Sequence, residues 1–172
     1  PMLSHVNPEN GVRDGKGRRP GMFLSTTTNG VDAKGRISVP ADFRAVVTGE
    51  PGIYVWKSFN GGMLDGGGQR RMAELQDAID AMPPYDDDRV HFERVIFGGA
   101  KLLTFDANGR VSLPKEFIDH AGLDKKATFV GLGRRFEIWN PDAYEAAQSE
   151  ALEFARKSRH ALRKPGDRGS EA

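Results

Sequence analysis

The chain has 172 residues, 38% of them hydrophobic, and 25 Lys and Arg stand against 24 Asp and Glu for a formal charge of +1. That length suits about one domain, and the near-balance of charge means that any affinity for nucleic acid must come from local segregation of cations. The absence of cysteine excludes a disulfide frame and cysteine-based zinc sites and fits a reducing cytoplasm, while no apolar run approaches the ~18 residues of a membrane span and no signal-peptide core stands near the start, so a soluble, cytoplasmic protein is expected.

Residues 1–21 carry Arg13, Lys16, Arg18 and Arg19 against Glu9 and Asp14, are broken repeatedly by Gly and Pro, and have no hydrophobic period. They read as a disordered basic arm, either inert or in contact with phosphates. Phe23 to Val31 reads as a strand in spite of Asn29-Gly30, which alone would signal a hairpin turn. Gly30 is therefore expected to mark a bulge or a close backbone approach.

The next twelve residues, Asp-Ala-Lys-Gly-Arg-Ile-Ser-Val-Pro-Ala-Asp-Phe over 32–43, return as Asp-Ala-Asn-Gly-Arg-Val-Ser-Leu-Pro-Lys-Glu-Phe over 106–117, a shift of 74 with seven positions identical. This is an internal duplication. Asn108-Gly109, and more weakly Lys34-Gly35, predict type I′ turns. Ile37 and Val39, like Val111 and Leu113, alternate with serine, so one side of the following strand is buried. Pro40 and Pro114 suit the first position of a short helix, and Phe43 and Phe117 fall where that helix folds back on the strand. Each copy is a strand–turn–strand–helix unit.

Arg36 and Arg110 stand just past these turns, with Asp32 and Asp106 four residues earlier. A guanidinium offers a planar fork of donors that matches phosphate or the O6/N7 edge of guanine, and a neighbouring carboxylate can hold the fork in one orientation. The same pattern is equally a structural Asp–Arg bridge, which for one copy alone is the commoner case. Two copies, with Lys34 and Lys115 adjacent, favour a presented cationic edge. The candidate DNA-binding residues are Asp32, Lys34, Arg36, Asp106 and Arg110.

Ile53-Tyr54-Val55-Trp56 matches Ala127-Thr128-Phe129-Val130 at the same offset, so the duplication runs beyond the motif. Phe59 to Gly68, with Gly61-Gly62 and Gly66-Gly67-Gly68, reads as a flexible loop; no Lys-Ser/Thr follows to make a phosphate cradle. Gln69 to Met82 places Met72, Leu75, Ile79 and Met82 on one helical face and ends at Pro83-Pro84. Asp86-Asp87-Asp88 suits the start of a second helix through Val90 to Phe97, as a cap rather than a metal site. The last helix begins at Asn140-Pro141, with Tyr144, Ala147, Ala151, Phe154 and Ala155 on one side. Its end carries Arg156, Lys157, Arg159, Arg163, Lys164 and Arg168, a solvated terminus or an additional phosphate contact.

His5, His91, His120 and His160 have no ligand spacing, and no nucleophile, metalloprotease or dinucleotide motif occurs. No enzyme activity, metal, cofactor or small-molecule substrate is expected.

Asp32-Ala33-Lys34-Gly35-Arg36, Asp106-Ala107-Asn108-Gly109-Arg110, Ala121-Gly122-Leu123-Asp124-Lys125 and Val130 through Trp139 together resemble the MraZ family, bacterial transcriptional regulators built from two SpoVT-AbrB-like units. The resemblance spans roughly Met22 to Tyr144 and departs from the family pattern over Phe59 to Gly68. It implies a mainly β fold with flanking helices (α+β), a duplicated swapped-hairpin, double-psi-like β-barrel assembled as a homo-oligomeric ring. It further implies binding of double-stranded DNA through the D-x-x-x-R edge, at repeats upstream of the division and cell-wall gene cluster. On these grounds the chain divides into a basic arm (1–21), a first unit (22–68), a helical connector (69–99), a second unit (100–143) and a C-terminal helix with basic tail (144–172). The expected function is a nucleoid-associated, sequence-specific regulator on promoter direct repeats. An AbrB-type antitoxin-like protein-binding module and a purely structural ring are the alternatives.

Overall fold

The computed structural model describes residues 21–163 and Gly166; the basic arm up to Pro20, and Lys164 and Arg168 of the tail, lie outside the described residues. Two units follow each other. The first contains β1 (Thr26–Gly30), β2 (Arg36–Ser38), α1 (Ala41–Val46), β3 (Gly52–Lys57) and β4 (Leu64–Gly67), and α2 (Gln69–Asp80) and α3 (Asp87–Phe92) come next. The second contains β5 (Lys101–Thr104), β6 (Arg110–Ser112), α4 (Lys115–Ala121), β7 (Lys126–Gly131) and β8 (Phe136–Trp139), followed by α5 (Pro141–Lys157).

The two units exchange strands. The six-stranded sheet runs β1-β7-β8-β4-β3-β5, and β2 pairs with β6 in a separate two-stranded ribbon. Thus β1 of the first copy pairs with β7 of the second, and β5 of the second with β3 of the first. The mainly β architecture with flanking helices (α+β) expected from the sequence is present, with its strand pairings antiparallel. The turns after β1 and β5 are not those of paired hairpins, however, because each joins strands whose main partners belong to the other copy. The ribbon lies beside both sheet ends, tied to them through Asp32 N to Arg36 O at 3.0 Å and Asp106 N to Arg110 O at 2.8 Å.

Pairing across the copies follows an approximate two-fold axis. In the ribbon Ile37 faces Val111, its counterpart 74 residues on, while Arg36 faces Ser112 and Ser38 faces Arg110. In the middle of the six-stranded sheet β4 meets β8 with Asp65 opposite Glu137. Tyr54 pairs with Gly67 and Thr128 with Trp139, so the second copy is two residues shorter between these strands (67 − 54 = 13 against 139 − 128 = 11) and Asp65 and Glu137 are counterparts.

One apolar cluster fills the space between ribbon and sheet. Ile37 and Val111 from the ribbon, Phe43 and Phe117 from the short helices, and Phe129, Phe136 and Ile138 from the sheet are all within 1% of complete burial. Phe23, Phe43, Phe129 and Phe136 meet mostly edge to face, at centroid distances of 5.0 to 6.2 Å, the arrangement that aromatic quadrupoles favour. A smaller cluster joins Trp56 to Ile79 and Ile96, with Met72, Leu75 and Phe97 around it. This is the face anticipated for α2, and Asp86 caps α3 by accepting from the N–H of Asp88 at 2.8 Å.

Several expectations are corrected. Gly30 is neither bulge nor tight approach: its register to Lys126 is unbroken, and a Cβ there would meet only Lys125 O at 3.8 Å. Pro40 and Pro114 stand one residue before the helices, in extended backbone at the N-cap, not at the first helical position. The glycine stretch before α2 is not a loop. Leu64–Gly67 is a buried strand in the middle of the sheet. Its glycines are required by packing, since a Cβ at Gly66 would lie 2.4 Å from the Phe136 ring and one at Gly67 2.6 Å from the Arg71 side chain. The apolar side expected along α5 is half-buried only at Tyr144 and Ala147; beyond Ala147 every residue of the helix is exposed, Phe154 at 70%.

Candidate nucleic-acid interface

Both D-x-x-x-R segments fold into the same local structure. Among the five residues from Asp32 to Arg36 only Gly35 has positive φ, at 78°, and in the second copy only Gly109, at 73°. The expected type I′ turn, which needs positive φ at two central residues, is therefore not formed. A three-residue loop with glycine in the left-handed position takes its place, closed by Gly35 N to Asp32 O at 3.0 Å and Gly109 N to Asp106 O at 3.1 Å.

The aspartate is the organiser of this loop. Asp32 Oδ1 accepts from the backbone N–H of Lys34 at 2.9 Å and of Arg36 at 2.8 Å, and its Oδ2 accepts from Arg36 Nε at 2.7 Å. Asp106 repeats this set with Asn108 N, Arg110 N and Arg110 Nε at 2.9, 2.9 and 2.8 Å. The backbone N–H of each arginine, with the guanidinium and the second N–H adding to it, holds Asp32 and Asp106 below the usual carboxylate range. The ion pair uses only Nε, so the outer edge of each guanidinium remains available for a second partner.

Strand alternation then decides where these groups point. Ile37 and Val111 are buried, so Arg36, Ser38, Arg110 and Ser112 share the outer side of the ribbon, the serines exposed and the arginines half-exposed. Arg36 starts one strand and Arg110 the other, which sets them at opposite ends of a four-residue outer face. Lys34 is exposed at the tip of the first turn, where the second copy has exposed Asn108. All five candidate residues, Asp32, Lys34, Arg36, Asp106 and Arg110, are thus brought to one ribbon. Lys115 is spent differently, paired with Asp119 at 2.6 Å one helical turn on.

Sequence reading missed Ser38 and Ser112 as members of this face, although their period-two spacing from the arginines was the available signal. It also passed over Arg44, whose guanidinium lies against the second turn. An ionic cluster lies at the Asp65–Glu137 pairing, away from the ribbon. There Arg135 reaches Asp65 at 3.3 Å and Glu137 at 3.5 Å, and Trp139 Nε1 donates to Glu137 at 3.0 Å. Burial pushes the Asp65 carboxyl up. Among the described residues no group of three or more His, Cys, Asp or Glu could hold a metal ion, and no helix is long and apolar enough to cross a membrane.

A family model described as "MraZ protein, putative antitoxin-like" matches residues 96–164. Proteins named Transcriptional regulator MraZ from Rickettsia akari (strain Hartford) and Rickettsia canadensis (strain McKiel) are each 40% identical to the chain over 144 residues, which is 83% of this chain and 97% of theirs. The protein of that name from Rickettsia typhi (strain ATCC VR-144 / Wilmington) is 39% identical over the same coverage.

Proposed function

The chain belongs to the MraZ family, and from that premise we propose that it is a transcriptional regulator that binds duplex DNA in a sequence-specific manner through the β2–β6 ribbon. The observation that carries this reading is the outer face of the ribbon, where two oriented arginines, Arg36 and Arg110, alternate with two exposed serines. A two-stranded ribbon fits the major groove, and an arginine fork suits guanine there. Lys34 and the serine hydroxyls supply phosphate or polar contacts that set position rather than sequence. Asp32 and Asp106 orient the arginines and need not touch DNA. No catalytic step belongs to this reading.

One ribbon neutralises few phosphates, so its affinity alone is poor, and repetition in an oligomer raises it through effective concentration. The uncovered apolar side chains Phe154, Leu152 and Phe59, each more than half exposed, support self-association. In a cyclic ring, neighbours are related by rotation, which suits tandem direct repeats about 10 base pairs apart, in the promoter upstream of the division and cell-wall cluster. Such a protein works in the cytoplasm at the nucleoid.

The test is titration of a duplex from the region upstream of its coding sequence with wild type, Arg36→Ala and Arg110→Ala, alongside light scattering on a sizing column. Binding weakened by tenfold or more per arginine, about the cost of one charge-assisted contact, with assembly unchanged, supports the reading. Assembly lost with the same substitutions favours a structural ring, and a wild type without sequence preference at about 150 mM salt overturns it.

A further inference from the structure

The two ends of the ribbon are not equipped alike by the duplication. At the first end stand Arg36, tied to Asp32, and Lys34, which has no carboxylate partner among the described residues. At the second end Arg110 is tied to Asp106, but Asn108 stands where the first copy has Lys34. On these residues the first end has two cations to one carboxylate and the second is neutral.

A residue from the other copy restores the balance. The Cζ, Nε and Nη1 atoms of Arg44 all lie 2.8 Å from where a Cβ on Gly109 would be, so the flat face of the guanidinium rests on the turn glycine. Its Nε donates to Val39 O at 3.2 Å, its sole hydrogen bond among the described residues, and Val39 N in turn donates to Gly109 O at 3.1 Å. The counterpart of Arg44 is Ile118, which packs over Gly35 in the same manner, with its Cδ1 3.3 Å from that glycine's Cβ position. An apolar side chain therefore suffices to cover such a turn, and nothing in the packing requires a cation at 44. The acids nearby are engaged: Asp106 by its own turn, and Glu50 by the N–H of Gln69 at 2.6 Å, where it caps α2.

We propose that Arg44 is a phosphate-binding residue of the DNA interface, supplying at the second end of the ribbon the unpaired charge that Lys34 supplies at the first. The assignment rests on the ribbon being the DNA-binding surface. Because one end carries an exposed lysine at a turn tip and the other a planar guanidinium stacked on the turn glycine, the two ends meet the backbone differently. A ribbon that is nearly two-fold symmetric in its arginines thereby acquires a direction on the duplex.

The experiment measures the affinity of the full chain for the upstream duplex across a salt series. Arg44→Gln weakens binding roughly tenfold at 150 mM salt and lowers the slope of log K against log salt by about 0.9, one phosphate contact, while the ranking of base substitutions in the duplex is unchanged. Placing Asn108→Lys in the Arg44→Gln protein moves the charge to the position it has in the first copy and recovers most of the affinity and the slope. An Arg44→Gln protein with wild-type affinity and slope, tested where Arg36→Ala has weakened binding tenfold or more, overturns the assignment of Arg44 alone. Loss of binding together with a lowered melting temperature and no recovery by Asn108→Lys assigns Arg44 a structural role and overturns it too. A wild type that binds no duplex overturns this inference and the function beneath it together.

Discussion

Asp32 and Asp106 each hold two backbone N–H groups and one guanidinium, so their charge and the shape of the turn depend on each other. Their carboxyls titrate below the ordinary value in the folded chain. A depressed acid contributes stability that is present above its unfolded value of about 3.8 and disappears as pH falls through the lower folded value. Acidification through neutral pH and down to about pH 5 is therefore expected to leave the turns intact. Below pH 3.8 the Lys34, Arg36, Asn108 and Arg110 amide resonances should move together as the carboxylates protonate. NMR titration of those amides checks this, and midpoints at or above 3.8 would contradict it. The arginines were legible as a pair because the motif is repeated. The turn type was not: Asn-Gly reads as type I′ from backbone preference alone, whereas the aspartate side chain, by capturing two N–H groups, favours the loop with a single left-handed glycine.

At the scale of the element, β4 shows why a local pattern can mislead. Leu64-Asp65-Gly66-Gly67 has a composition that disfavours strands, and it becomes one because β3 and β8 lie on either side of it. The Phe136 ring occupies the space a side chain at Gly66 would need. Gly66→Ala would recover about 0.5–1 kcal/mol from reduced freedom of the unfolded chain. Overpacking against a ring 2.4 Å from the new Cβ costs about 1–3 kcal/mol and outweighs this. The expected net result is a lower urea midpoint, measured by equilibrium denaturation, and equal or greater stability would show that the ring can move aside. The capped starts of α3 and α5 were readable because the necessary groups lie within three residues of each other. Asn140 Oδ1 accepts from Asp142 N at 2.9 Å and Ala143 N at 3.1 Å.

For the whole molecule, the approximate two-fold puts Ile37–Val111 at one crossing of the copies and Asp65–Glu137 at the other. The first is a plain apolar pair beneath the candidate interface. The second sets two carboxylates side by side, and Asp65 is raised chiefly because burial penalises its charged form. A raised acid binds its proton more tightly when folded, so its contribution to stability falls as pH rises from about 3.8 through the folded value. Wild type should therefore gain stability relative to Asp65→Asn as pH is lowered from neutrality toward 3.8. Urea denaturation of both proteins at neutral pH and near 3.8 decides it, and a difference independent of pH would contradict it. Around Asp32 and Asp106 the sign is opposite, so acid is expected to tighten one crossing before it loosens the other.

By itself the sequence determined the duplication, the strand–turn–strand–helix unit, the capped starts of α3 and α5 and the candidate arginines, since each rests on spacing within a dozen residues or on comparison of one copy with the other. Tertiary structure alone decided that the copies exchange strands, that a glycine run becomes a central strand, and that Arg36, Ser38, Arg110 and Ser112 share one outer face with Arg44 over its second turn. Those outcomes depend on contacts between residues far apart in the chain, from Val55–Lys101 to Thr26–Val130, and the chain carries no local signal for which of two equivalent strands will be chosen as partner until both compete for the same core.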